Sequence, residues 1–104
     1  MVRTRFHTIA KLGHFNDMLA WAKELDRLCV EKGLAKSRFL TPAFGEVNHF
    51  IVESEYPDWA AYGRENEAFF SDAKIMAHFR SGVELSETGE LPWSEAEEEA
   101  PNLA

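Results

Sequence analysis

Residues 2–12 read Val2-Arg3-Thr4-Arg5-Phe6-His7-Thr8-Ile9-Ala10-Lys11-Leu12. Alternate residues share a face: Val2, Thr4, Phe6, Thr8, Ala10 and Leu12 on one side, Arg3, Arg5, His7, Ile9 and Lys11 on the other. A period of two sustained over this length predicts a β-strand, and Gly13 ends it. The stretch Asn48–Tyr56 repeats the pattern. Asn48, Phe50, Val52, Ser54 and Tyr56 point one way, and His49, Ile51, Glu53 and Glu55 the other. In each strand one face suits a core and the opposite face carries charge.

Between these strands, Met18, Trp21, Ala22, Leu25, Leu28, Cys29 and Lys32 follow the three-and-four spacing of one helical face. Asn16 or Asp17 is the expected cap. Lys32-Gly33-Leu34 reads as the helix end, with Gly33 taking the left-handed position and Leu34 folding back. Residues 37–44 form a further expected strand before a Gly45-Glu46 turn, and Pro42 places it at an edge. Asp58 opens a second helix whose buried side is Trp59, Tyr62, Asn66, Phe69 and Phe70. Ser71-Asp72 recaps the chain into a helix carrying Ile75, Met76, Phe79 and Val83, with a bend expected at Gly82. A short last strand falls over residues 89–94, with Leu91 and Trp93.

Strand, helix, strand, strand, broken helix, strand is the order of an α+β, ferredoxin-like βαββαβ sandwich. Its four-stranded antiparallel sheet places the first and third strands at the centre and the helices on one face. Phe6, Ala10, Phe50 and Val52 then meet the helices. The uncovered face carries Arg3, Arg5 and His7 beside His49, Glu53 and Glu55, with Ile9, Ile51 and Leu40 among them. Opposite charges on adjacent strands pair modestly, and apolar side chains on an open face mark an interface. Arg3, Arg5, His7, Leu40, His49, Ile51, Glu53 and Glu55 are therefore the expected contact surface of a homodimer.

The chain has 104 residues, 45% of them hydrophobic, which suits one globular domain, expected over residues 1–94. All 11 basic side chains precede residue 81, together with 11 of the 18 acids. The net charge of −7 therefore belongs to the C-terminal quarter, and residues 95–104 read as a mobile acidic tail. No cluster of cations offers a phosphate-binding face, so nucleic acid is not an expected partner. The longest unbroken apolar run is Met18–Ala22, too short to span a bilayer, and no signal-type apolar stretch precedes the first strand. A cytoplasmic location is the expectation, with no membrane partner. One cysteine, Cys29, forbids an intrachain disulfide and removes the multi-cysteine zinc sites.

Three segments carry a family resemblance. They are Phe44-Gly45-Glu46-Val47-Asn48-His49-Phe50-Ile51-Val52-Glu53, then Tyr56-Pro57-Asp58-Trp59-Ala60-Ala61-Tyr62, then Leu85-Ser86-Glu87-Thr88-Gly89-Glu90-Leu91-Pro92-Trp93. With the element order over residues 2–94, the chain resembles the dimeric α/β-barrel superfamily and, within it, the NIPSNAP-like group. The resemblance implies two sheets paired face to face into a barrel with helices outside. It also implies a kinship with cofactor-free monooxygenases, isomerases and haem-degrading proteins that use the space between sheet and helices. Pro92 and the acids around it depart from the plainly β last strand of such proteins.

The aromatic side chains are the strongest lead to chemistry. A small apolar pocket with a few polar groups is a typical ligand site. Phe6, Trp21, Asn48, Phe50, Trp59 and Tyr62 are the expected lining, with Asn48, Ser54, Thr4, Thr8 and Tyr62 as its polar groups. The bland alternative is a filled core. His7 and His49 can meet on the central strands and, with Glu53, hold a metal; hydrogen-bonded histidines in an interface are the preferred reading. Glu53 and Glu55 have the spacing of paired catalytic carboxylates, but two arginines lie ready to neutralise them. Cys29 falls on the apolar helix face and reads as an inert core thiol. No phosphate-binding glycine loop or nucleophile elbow occurs. No catalytic residue, metal site or cofactor is assigned, with haem the weaker option. The expected function is the binding of a small apolar or aromatic metabolite by a homodimer. The alternatives are a non-enzymatic assembly module, a cofactor-free monooxygenase-like protein, or a haem-binding relative.

Overall fold

The computed structural model describes residues 1–99. Strand β1 runs Val2–Ile9, helix α1 Phe15–Glu31, strand β2 Ser37–Leu40 and strand β3 His49–Tyr56. Helices α2 (Trp59–Ser71) and α3 (Ala73–Ser81) follow, then a 3₁₀ turn over Gly82–Leu85 and strand β4, Trp93–Glu98. The strands form one antiparallel sheet in the order β2-β3-β1-β4. This is the expected ferredoxin-like α+β topology, with β1 and β3 at the centre.

The strand faces divide as the alternation predicts. Ala10, Met18, Ala22 and Phe50 form one buried cluster between sheet and α1, with Phe39, Val52 and Trp21 packed around it. Fully buried side chains the size of Met18 and Phe50 contribute roughly 1.5–3 kcal/mol each, and the alanine methyls about 0.8. A second cluster of Leu28, Cys29 and Ile75 joins α1 to α3. Arg3, Arg5 and His7 lie on the other sheet face, in register with Glu55, Glu53 and Ile51.

The local signals at the helix ends account for most of the boundaries. After Lys32 caps α1, Gly33 takes φ +87° and donates to Val30 O at 2.9 Å, while Leu34 donates to Cys29 O at 2.9 Å. This is the reciprocal pattern of a glycine-terminated helix. Asp58 Oδ1 accepts from Ala61 N and Asp72 Oδ1 from Ile75 N, each at 2.8 Å, so each aspartate caps a helix.

Four boundaries differ from expectation. His14 is the residue before α1, so neither Asn16 nor Asp17 caps it; Asp17 instead pairs with His14 Nδ1 at 3.0 Å. Strand β2 stops at Leu40, before Thr41-Pro42, and Asn48 stands outside β3 with φ +63°. The last strand begins at Trp93 and reaches Glu98, so Glu95, Glu97 and Glu98 belong to the sheet and not to a tail. Its register explains why: Arg5 lies opposite Glu95 and Arg3 opposite Glu97, so these acids border cations. The remainder of the expected tail, residues 100–104, lies outside the described residues. No helix among the described residues is long and apolar enough to cross a membrane.

Candidate functional site

The floor of the site is the helix-facing side of the sheet. Phe6 and Val52 lie opposite each other there, and at the next pair toward the far end the side chains shrink to Thr4 and Ser54. Ser37 of β2 continues that row, its Oγ 2.9 Å from Ser54 Oγ. Small side chains on the floor leave space that α1 and α2 do not fill. A cavity of about 490 Å³ results, within the range of small-molecule sites.

Its walls are aromatic and apolar. Trp21 and Leu25 of α1, Tyr62 and Phe69 of α2, and Phe79 of α3 all border it. Trp21 is fixed in place: its Nε1 donates to His78 O at 2.8 Å, and His78 Nε2 lies 2.8 Å from Trp21 O. Tyr56 packs edge-on against Tyr62, ring centroids 5.4 Å apart. Burial holds the Tyr56 phenol above its usual value, against the opposing effect of hydrogen bonds from Ser54 and Thr4. Cys29 also borders the cavity, and its thiol is pushed up to about 11, first by burial and then by Asp26, Asp72 and Glu65. It is thus an uncharged part of the wall, as expected for an inert thiol.

Of the six residues expected to line the pocket, Phe6, Trp21 and Tyr62 do so. Phe50 is instead at the centre of the core, 1% exposed and stacked on Phe39. Asn48 serves the backbone: its Nδ2 donates to Ala10 O and Lys11 O at 3.3 and 3.1 Å, bracing the end of β1. Trp59 stands outside the cavity, 47% exposed, and its Nε1 donates to Glu98 Oε2 at 2.8 Å, tying α2 to β4. Thr4 and Ser54 are on the floor, whereas Thr8 is buried beside Ser86, Oγ1 to Oγ 3.0 Å. The polar lining also includes Ser37, Tyr56, Asp26, Glu65, Asn66 and Ser94, none of them among the expected polar groups. Tyr56 and Ser37 lay within the expected strands, and Ser37, like Ser54, is a small residue facing the helices.

On the opposite sheet face, Glu53 collects three arginines. Its Oε1 is 3.0 Å from Arg3 Nε and 3.4 Å from Arg5 Nη2, and its Oε2 accepts from Arg38 Nη2 at 2.6 Å. The Arg3 Nε–H is not aimed along its contact, which acts as a charge contact without a hydrogen bond. Arg5 also reaches Glu97 at 2.9 Å, and Arg3 reaches Glu55 at 3.3 Å. These are structural ion pairs, not a free carboxylate pair. His7 and His49 do meet, Nδ1 to Nε2 2.8 Å, but the carboxylate beside them is Glu95 at 2.5 Å from His7 Nε2, not Glu53. Trp93 stacks on His7 with ring centroids 4.7 Å apart. Among the described residues no group of three His, Cys, Asp or Glu is arranged to hold a metal ion. All eight residues expected at a dimer contact lie on the strands of this sheet, in the register that places them on its uncovered face.

No protein-family model matches the chain, and no curated protein matches it. Solved structures do. An uncharacterised NIPSNAP domain protein from Burkholderia xenovorans superposes with a TM-score of 0.80 at 17% identity, covering 96% of this chain and 95% of that one. An antibiotic biosynthesis monooxygenase matches with a TM-score of 0.71 at 14% identity, over 97% of this chain and 100% of its own. SnoaB of Streptomyces nogalater, a cofactor-independent oxygenase, matches with a TM-score of 0.70 at 12% identity, over 98% and 95%. At these identities the likeness is one of fold, and it agrees with the resemblance read from residues 2–94.

Proposed function

We propose that this chain binds a small apolar or aromatic molecule between sheet and helices, as one half of a homodimer joined through its uncovered sheet face. The observation that carries the reading is the cavity of about 490 Å³ bordered by Trp21, Tyr62 and Phe69, since a core of this composition normally closes on itself. The presence of a cofactor-independent oxygenase among its structural neighbours is compatible with chemistry on such a ligand. On this chain's own wall the groups able to accept a proton are Asp26 and Glu65, while the Cys29 thiol stays protonated. Haem is a poor match for this lining. Among the described residues no histidine borders the cavity, so the commonest axial ligand to haem iron is lacking from its wall.

A thermal-shift screen of aromatic metabolites tests the reading. A binding compound raises the melting temperature of the native chain and fails to raise that of Leu25→Trp, whose larger side chain occupies the cavity. Compounds that stabilise both proteins equally would show binding elsewhere and overturn it.

A further inference from the structure

The charges around the cavity are one-sided. Arg5 and Glu95 border it from β1 and β4, but both side chains turn to the opposite sheet face: Arg5 to Glu53 and Glu97, Glu95 to His7. The charged side chains left on the helix side are the carboxylates Asp26 of α1 and Glu65 of α2. Neither forms an ion pair among the described residues, although eleven such contacts occur elsewhere. Both converge on one short segment. Asp26 Oδ1 accepts from Ser37 N at 2.8 Å and Glu65 Oε1 from Ala35 N at 2.5 Å. Each carboxylate thus spends one oxygen on the backbone and keeps a second.

Resting on the reading of the cavity as a ligand site, we infer that its ligand is an organic cation, a protonated amine carried on an apolar or aromatic body. Two carboxylates that border one cavity and pair with no cation among the described residues attract a positive group placed between them. Aromatic walls add to that preference, because the faces of Trp21, Tyr62 and Phe69 attract a cation and not an anion. The negative field already acts on its neighbours: Asp26 and Glu65 both help to raise the Cys29 thiol, and Glu65 the Tyr56 phenol. A carboxylate ligand would meet like charge and find no cation to neutralise it.

Three probes with one ring system separate the outcomes: tryptamine, the neutral alcohol tryptophol, and indole-3-acetate, titrated calorimetrically into the purified chain. Tryptamine is expected to bind about tenfold tighter than indole-3-acetate. Glu65→Gln should reduce that ratio to less than about threefold, since glutamine keeps an oxygen for Ala35 N but loses the charge. Asp26→Asn, which likewise keeps an acceptor for Ser37 N, provides the second variant. Equal binding of the charged pair alongside tryptophol would overturn the cation inference and leave the cavity reading standing. A tryptamine preference unchanged in both variants would place the charge effect elsewhere and also overturn it. No binding by any of the three would overturn both.

Discussion

Gly82 lies directly against the ring of Trp21: a β-carbon at position 82 would sit 2.2 Å from Trp21 Cε2 and 2.6 Å from Nε1. The bend expected at Gly82 therefore has a packing cause. The chain leaves α3 over a tryptophan that is itself held by His78 O, and only a residue without a side chain can pass so close. Trp21 is also a wall of the cavity, so this contact sets where that wall stands.

Gly82→Ala is accordingly expected to destabilise the chain by about 1–3 kcal/mol, the usual cost of overpacking. Tryptophan cannot yield without giving up its hydrogen bond to His78 O. Thermal or urea unfolding reads the loss, and an unchanged midpoint would show that the ring moves freely.

How far the sequence discloses this arrangement depends on contrast between faces. In β1 and β3 the faces differ sharply, with Phe6 and Phe50 opposed to Arg5 and Glu53, and the period of two is enough to assign both. The run Trp93–Glu98 has no such contrast. Glu95, Glu97 and Glu98 read as solvated acids, because their partners are remote along the chain: His7 and Arg5 lie some ninety residues before Glu95 and Glu97, and Trp59 lies 39 residues before Glu98. The cavity is legible only in part for a related reason. An aromatic residue facing the helices can fill space or border it, as Phe50 and Phe6 respectively do, and the choice depends on how closely α1 and α2 approach. The small residues Thr4, Ser37 and Ser54 are the better sign, since a floor of hydroxyl side chains beneath bulky aromatics leaves a void.

The paired histidines make stability depend on pH. With His7 Nε2–H donating to Glu95, His7 Nδ1 is left to accept from His49 Nε2. His49 is held below its ordinary value of 6.5, first by burial and then by the charge of His7, with Glu46 acting the other way. The unfolded chain therefore takes up this proton at higher pH than the folded one. The stability involved is complete above pH 6.5 and drains away as pH falls through 6.5 toward the lower folded value. Urea unfolding between about pH 7.5 and 5.5 should show a steeper loss for the native chain than for His49→Gln. Parallel curves would mean that His49 titrates in the folded state as it does in the unfolded one.

The proposed dimer is best tested at a side chain that the ion pairs do not use. Glu53 is a poor choice: it is 2% exposed within the single chain and holds three arginines, so its reversal would damage the fold before any contact between copies. Leu40 stands at the end of the edge strand β2, in register with Ile51, and is 40% exposed. Trp93 at the other edge of the sheet is 43% exposed. Apolar groups at both edges of a charged lattice suit a self-complementary two-fold contact, in which the lattice sets register and the apolar groups supply most of the affinity. Leu40→Asp should therefore weaken association by about tenfold or more, because burying an unpaired carboxylate opposes the contact. Its thermal midpoint at dilution should stay close to that of the native chain, since a side chain this exposed contributes little to the fold. Sedimentation velocity across the micromolar range separates the cases. A native dimer that Leu40→Asp dissociates supports pairing through this face, whereas a native monomer at these concentrations, or a dimer indifferent to the substitution, would remove it.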